Sequence, residues 1–350
     1  MKLGLAVNDI DTEKVAYTTT WLAMTAAALG HEVWYINVAD FVYGPDESVY
    51  AHARSAPSRR YRSAASYLQA LRSGAARAER ILVDELDVLL LRNDPAEDVI
   101  ARPWARLAGI NFGRLAVRKG VIVLNDPDGL SRAVNKMYLQ YFPEYIRPRT
   151  LISRNREEIK DFIRKEGGTA VLKPLTGSGG HNVFLVDPAE KANLNQMIDA
   201  VRSEGYVIAQ EYLPRVVAGD TRLFLMNGRP LRCQGRYAAI RRVREAGDGD
   251  IRSNITAGGV ARKAEVDENM LKLAHAVRPK LVQDGLFLVG MDIVGDRLME
   301  INVFSPGGLD EAGRLEGVNF FREVIGALEH KVDSLHRYHR NFSNVELASL

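Results

Sequence analysis

The chain has 350 residues, enough for two or three packed subdomains with cores of their own. Apolar residues make up 46% and charged residues 26%, ordinary for a globular enzyme, and a net charge of +3 is too small to point to nucleic acid. The one cysteine, Cys233, excludes an intramolecular disulfide framework and, lying past a turn-like NGRP in an apolar setting, predicts a buried inert thiol. No apolar run is long enough for a membrane helix, and MKLGLAVNDI lacks the features of a signal peptide, so a cytoplasmic protein with no membrane partner is expected.

In chain order, KLGLAV (2–7) suits a buried strand, 14–30 a helix ending at Gly30, and VWYINV (33–38) a second strand. Strand, helix, strand is a βαβ unit and implies a parallel sheet with a right-handed crossover. The basic, Ala/Ser-rich segment 52–80 reads as a surface loop leading into a helix. VLLL (88–91) and VIVL (121–124) are further buried strands, each followed by an NDP turn at 93–95 and 125–127. The second NDP opens a helix over 129–142. From residue 150 the order becomes helix (155–166), strand (170–173), strand (183–186), helix (189–202), an α+β unit. Next come YVIAQEYL (206–213), a hairpin over 221–240, a polar stretch (241–254), a helix (266–284), strands 286–294 and 297–303, and a helix (318–329). The expected organisation is an α/β domain over 1–125, α+β subdomains over 126–205 and 206–330, and a polar tail over 331–350.

Two stretches carry chemistry. KPLTGSGG (173–180) places a lysine before a Gly/Ser/Thr loop between apolar runs. It is either a glycine-rich turn with an incidental lysine or a loop whose N–H groups close over phosphate oxygens, and it is not a P-loop, because the lysine precedes the glycines. In GMDIVGDRLMEIN (290–302) the odd positions Met291, Ile293, Met299 and Ile301 are apolar, while Asp292, Glu300 and Asn302 fall on even ones. Side chains alternate along a strand and cross-strand partners share a face. A three-residue loop at Gly295, Asp296 and Arg297 therefore sets Asp292 opposite Glu300 with Asn302 on the same side. Opposed carboxylates need a positive partner, either Mg²⁺ or, for a solvated polar face, arginines.

With Lys136, KPLTGSGG, AQEYLP (209–214), GDTR (219–222), RSNITAGG (252–259) and DIVGDRLMEIN in this order, the chain resembles the ATP-grasp ligases, and among them the bacterial glutathione synthetases, from about residue 2 to 306. The resemblance implies an ATP-grasp fold, with an N-terminal parallel-sheet domain and two α+β subdomains clasping ATP. It implies that Lys136 and Lys173 bind phosphates, and that Gly177, Ser178, Gly179 and Gly180 form a lid over them. Gln210, Glu211, Tyr212 and Leu213 would border the adenine and Asp220 the ribose. Arg222, Arg252 and Asn254 would serve the transferring phosphoryl group, and Asp292, Glu300 and Asn302 would hold Mg²⁺, with Mn²⁺ a possible substitute.

Arg92 of RNDP, Gly258, Gly259, Ser305, Gly307 and Gly308 fall to the substrates by the same resemblance. Two departures stand out. The loop between Arg241 and Arg252 is longer and richer in arginine than its counterpart, which leaves both Arg236 and Arg241 as candidates for a phosphate-side arginine. After Asn302 the chain reads VFSPGGLDEAG, unlike the more polar continuation of the family, at the acceptor end of the site. The implied activity is ATP- and Mg²⁺-dependent ligation through an acyl phosphate. Its substrates would be γ-glutamylcysteine and glycine, or, alternatively, another small carboxylate and another amine or peptide. No nucleic-acid partner and a homo-oligomer are expected.

Overall fold

The computed structural model describes residues 1–99, 101–177, 181–188, 193–243, 259–339 and 341–350. The N-terminal layer runs β1 (Lys2–Val7), α1 (Thr18–Ala28), β2 (Glu32–Tyr43), β3 (Val49–Ser55), α2 (Ala64–Arg72), β4 (Arg77–Leu82), β5 (Val88–Leu91), α3 (Ala108–Arg118) and β6 (Ile122–Leu124). Its sheet order is β4-β3-β2-β1-β5-β6, with β2, β1, β5 and β6 parallel, as the βαβ reading requires. The sheet is mixed rather than parallel throughout. The basic segment expected as a loop leading into a helix does contain that helix, α2, but the rest folds as strands: β3 pairs antiparallel with β2 and β4 antiparallel with β3 at the sheet edge. Alternation explains it: in β3 Val49, Ala51 and Ala53 are buried while His52 and Arg54 face solvent, so the polar residues occupy the exposed side of a genuine strand.

The helix expected over 129–142 is broken. α4 (Pro127–Arg132) starts at the N-cap Asp126, and a separate 3-10 turn, Lys136–Tyr141, follows. The second sheet comprises β7 (Thr150–Ser153), β8 (Ala170–Pro174), β9 (Phe184–Val186) and β10 (Val207–Glu211) in the order β7-β10-β8-β9, all antiparallel, with α5 (Arg156–Lys165) and α6 (Leu194–Ser203) between its strands in the chain. β7 was not expected from the sequence.

The third sheet is built on β11 (Asp220–Met226). The hairpin expected over 221–240 is interrupted by three two-residue strands, β12 (Arg229–Pro230), β13 (Arg232–Cys233) and β14 (Arg236–Tyr237), before β15 (Ala239–Val243) returns along β11. Then come β16 (Val260–Lys263), α7 (Glu268–Gln283), β17 (Leu288–Val294) and β18 (Arg297–Asn302), giving the order β16-β15-β11-β17-β18. Cys233 is buried, as expected. Among the described residues no helix is long and apolar enough to cross a membrane.

Burial divides these layers unequally. Leu3, Leu5 and Tyr35 of the first layer share a core with Phe224, Ile240 and Phe287 of the third, and Ile36, Leu89 and Val123 share another with Leu223, Met291 and Leu298. The second sheet has a small core of its own, which includes Ile159, Leu172, Ile198 and Val207. Asn125 of the second NDP stitches first layer to third: its Oδ1 accepts from Leu288 N at 2.9 Å, and its Nδ2 donates to Leu288 O and Val303 O.

The C-terminal segment is not a loose polar tail. After α8 (Leu309–Glu316), α9 (Phe320–Arg337) runs well past the expected end, and α10 (Asn344–Ser349) docks against β6. Polar composition hides this because the anchoring groups are polar. Asn344 accepts from Val123 N at 2.8 Å and donates to Val123 O at 2.7 Å and Asp126 at 2.8 Å, while buried Lys331 donates to Asn227 at 2.9 Å. Replacing Asn344 by Ala leaves the buried N–H and C=O of Val123 without these partners. It should destabilise the protein by about 2–3 kcal/mol, read as a lower urea midpoint at unchanged slope. An unchanged midpoint would show that the α10 anchor contributes nothing.

Candidate active site

The β17–β18 hairpin pairs Asp292 with Glu300 and Gly290 with Asn302, the cross-strand arrangement the alternation predicts. The route to it differs. Val294 pairs with Arg297, which leaves a tight two-residue loop of Gly295 and Asp296 rather than three residues, and a bulge beyond Ile293 restores the register. Leu298, opposite Ile293, takes the fully buried position and Met299 becomes the extra, half-buried residue. Gly295 adopts φ +61°, the left-handed geometry such a loop demands of its first residue.

Asp292 is 1% exposed and sits at the centre of a cationic ring. Arg222, its cross-strand neighbour on β11, grips it in a fork, Nε to Oδ1 and Nη2 to Oδ2 both at 2.7 Å. Arg242 lies 2.8 Å from the same carboxylate and also binds Asp220, which it faces across β11 and β15. Asn302 Nδ2 adds a bond at 3.0 Å. Burial alone would raise the Asp292 carboxyl, but the two guanidiniums hold it well below the usual carboxylate range. Asp292 thus meets positive partners in two arginines of its own sheet.

Glu300 is neutralised by Lys136, whose Nζ lies 2.5 Å from Oε1; against the upward push of burial, that ammonium keeps the glutamate ionised. Lys136 reaches in from the 3-10 turn between the first and second layers, and its own N–H bonds Leu175 O at 2.9 Å, just past β8. Lys173, on β8, donates to buried Gln210 on β10 at 2.9 Å. Burial, with nearby Lys136, pushes its ammonium down to about 8. Glu211 ends β10 in a salt bridge to Arg149 at 3.1 Å, and Tyr212 and Leu213 follow, half-buried, in the segment that leads to the third sheet. Gly177 lies half-buried beyond β8, with φ +120°.

From the first layer, Arg92 is buried after β5 and donates Nε to Thr19 at 3.2 Å and Nη1 to Phe304 O at 3.3 Å. Asp94, two residues on, is raised by burial and senses both Lys136 and Glu300, so the first NDP borders the site. At the other end, Gly307 O accepts from Arg222 at 3.2 Å and half-buried Ser305 adjoins it. Gly308 adopts φ +96°, a left-handed backbone that disfavours any side chain, and a Cβ there would meet the tip of Ile240 at 2.6 Å. Asp310 and Glu311 open α8, and burial raises both carboxyls.

The arginine of this cluster is Arg242, which the sequence reading did not single out. Arg241 is exposed and donates to Ala218 O at 2.9 Å, and Arg236 is exposed with a distant partner in Glu316 at 3.9 Å. Register is the reason: Asp220 pairs with Arg242, so the even residues of β15 share the face of Asp220, Arg222 and Asp292 and Arg241 turns away. The signal was parity, unreadable without the register of a hairpin that carries three small strands. Ser178, Gly179, Gly180, Arg252, Asn254 and Gly258 lie outside the described residues; Gly259 is buried before β16.

Family models for the prokaryotic glutathione synthetase N-terminal domain and its ATP-grasp domain match residues 1–131 and 135–317. A glutathione synthetase of Gloeobacter violaceus is 34% identical over 93% of this chain and 95% of its own, and one of Synechococcus elongatus 32% over 95% and 99%. Among solved structures, the D-cycloserine synthetase DcsG (TM-score 0.61, 16% identity, 93% of this chain and 100% of that one) and the ATP-grasp ligase PsnB complexed with minimal precursor (0.59, 16%, 94% and 99%) share the fold. The mixed first sheet, the small antiparallel subdomain and the acidic hairpin are therefore the parts of an ATP-grasp enzyme, and the chain belongs to the prokaryotic glutathione synthetase family of ATP-dependent ligases.

Proposed function

We propose that this chain joins γ-glutamylcysteine to glycine at the cleft where the three layers meet. The observation that carries the reading is the convergence of Lys136, Lys173, Arg222 and Arg242 on the Asp292–Glu300 pair. Lys136 and Lys173 would bind nucleotide phosphates, with Gln210 to Leu213 against the adenine. Asp220 would reach the ribose only as its pair with Arg242 loosens. The cysteinyl carboxylate oxygen attacks the γ-phosphorus of ATP and ADP leaves. Glycine's neutral amine then attacks the acyl carbon, phosphate departs, and the amine's proton is lost. Arg222 and Arg242 are placed to stabilise the charge that develops on the phosphoryl oxygens.

The donor set also suits Mg²⁺, or Mn²⁺: two carboxylates and an amide oxygen, all hard ligands, with Asn302 Oδ1 left for a cation while its Nδ2 binds Asp292. Asp292, Glu300 and Asn302 would hold the ion, which would neutralise charge between the phosphates. Among the described residues no group of three His, Cys, Asp or Glu side chains is placed to hold a metal.

A second reading, ligation to a different amine, is favoured by one observation. The acceptor end presents Asp310 and Glu311, both raised by burial although Arg314 acts on each, carboxyls that suit an amine more readily than glycine's carboxylate. ADP release with γ-glutamylcysteine against an amine panel decides between them. Strong stimulation by glycine, with glutathione by mass, supports the first reading; stimulation only by another amine keeps the ligase and changes the product.

Glu300→Gln should lower ADP formation at least about 100-fold with the melting temperature preserved. Near-wild-type turnover at saturating Mg²⁺ would remove Glu300 from the site. A nearby phosphate favours the charged form of Lys173, so nucleotide binding takes up a proton once the pH exceeds about 8. Affinity for a non-hydrolysable ATP analogue should therefore be roughly 10-fold weaker at pH 9 than at pH 7, and Lys173→Arg should flatten that dependence. An equal slope in both proteins would place Lys173 away from the phosphates.

A further inference from the structure

The 3-10 turn Lys136–Tyr141 carries the lysine that neutralises Glu300, and a turn so short has weak hydrogen bonds of its own. What fixes it is a second, buried contact. Tyr138, two residues after Lys136 and 3% exposed, donates its hydroxyl to Asp284 Oδ2 at 2.7 Å. Asp284 follows α7 as its C-cap and is 1% exposed. Its carboxylate also takes Lys280 at 3.0 Å and Arg132, the last residue of α4, at 3.2 Å. Burial and the adjacent carboxylate push the Tyr138 hydroxyl well above its usual range, so it stays a donor.

Both ends of that bond are held. Tyr138 packs edge-on against Phe142, ring centroids 5.3 Å apart, and the Lys280 ammonium lies over the Tyr141 ring at 5.3 Å. A Cβ on Gly129 of α4 would stand 1.9 Å from Asp284 O, so α4 is seated directly on the Asp284 backbone. α7 in turn shares the core of the third layer through Leu273, Val277 and Leu281. Of the three partners named for the carboxylate, Arg132 and Lys280 brace α4 and α7, whereas Tyr138 belongs to the turn that bears Lys136. The same turn reaches the start of the glycine loop, because Lys136 N–H bonds Leu175 O at 2.9 Å.

We propose that Tyr138 and Asp284 are positioning residues for Lys136: their bond roots the turn in α7 and so sets the ammonium beside Glu300, where nucleotide phosphates are received. This role depends on the phosphate binding proposed above for Lys136. An ammonium on a flexible four-carbon stem can reach many places, and holding its Cα removes much of the freedom that binding would otherwise have to freeze. Without the hydroxyl, Asp284 keeps Lys280 and Arg132, so the junction of α4 with α7 persists while the turn loses its anchor.

Calorimetric titration of the full chain with a non-hydrolysable ATP analogue and Mg²⁺ tests the anchor. Tyr138→Phe keeps the ring and should weaken the analogue about 10-fold, with KM for ATP raised alike and KM for γ-glutamylcysteine within about twofold. In a Lys136→Gln background the same change should cost less than about twofold, since the lysine it positions is gone. Arg132→Gln, which also strips Asp284 of a partner, should leave affinity within about twofold. Melting temperatures establish folding, and Asp284→Asn, which alters the same bond from its other end, repeats the cycle should Tyr138→Phe not fold. Equal losses with and without Lys136, or equal losses from Arg132→Gln and Tyr138→Phe, would mark a merely structural bond and overturn the positioning role. A silent Tyr138→Phe beside a weakened Lys136→Gln overturns it too, and leaves the phosphate role of Lys136 intact. A Lys136→Gln variant that binds the analogue as tightly as the wild type overturns both.

Discussion

The site depends on keeping Asp292 ionised inside the third sheet. A carboxylate 1% exposed at the middle of β17 is tolerable only because Arg222 and Arg242 approach it from β11 and β15, with Asn302 completing its shell. Such a network contributes little net stability when intact, since desolvation offsets attraction, but removing one partner strands a buried charge at a cost of about 3–5 kcal/mol. Its value is positional. Three strands must hold one register for two guanidiniums to share one carboxylate, and that register fixes where Glu300, Asn302 and Lys136 stand.

The neutralising groups come from different layers. Arg222 and Arg242 belong to the third sheet, Lys136 to the turn that follows the first layer, and Lys173 to the small second sheet. Each of these cations lies against a carboxylate or an amide of another strand or turn, so the charges of the cluster are mutually compensated within the chain.

Much of this was legible because strand alternation is strict. The parity of Asp292, Glu300 and Asn302 placed all three on one face of the hairpin even though its loop has two residues and a bulge supplies the correction. A bulge has no sequence signature when Leu298 and Met299 are both apolar and either could be the buried one. Arg242 escaped notice for a related cause: its face follows from pairing with Asp220 across a connection that contains β12, β13 and β14. The order of α9 and α10 was illegible because their anchors, Lys331 and Asn344, are residue types that composition assigns to water.

The separate core of the second sheet has a thermodynamic consequence. First and third layers share their apolar interior and should open only together, whereas the second sheet, closed around its own few buried side chains, can open as a smaller cooperative unit. Its amides should then exchange with solvent from a lower-lying partly unfolded state. A nucleotide gripping Lys173 on one side and Arg222 on the other would couple that unit to the rest by mass action. The enzyme's most fragile part would be the part that substrate makes firm.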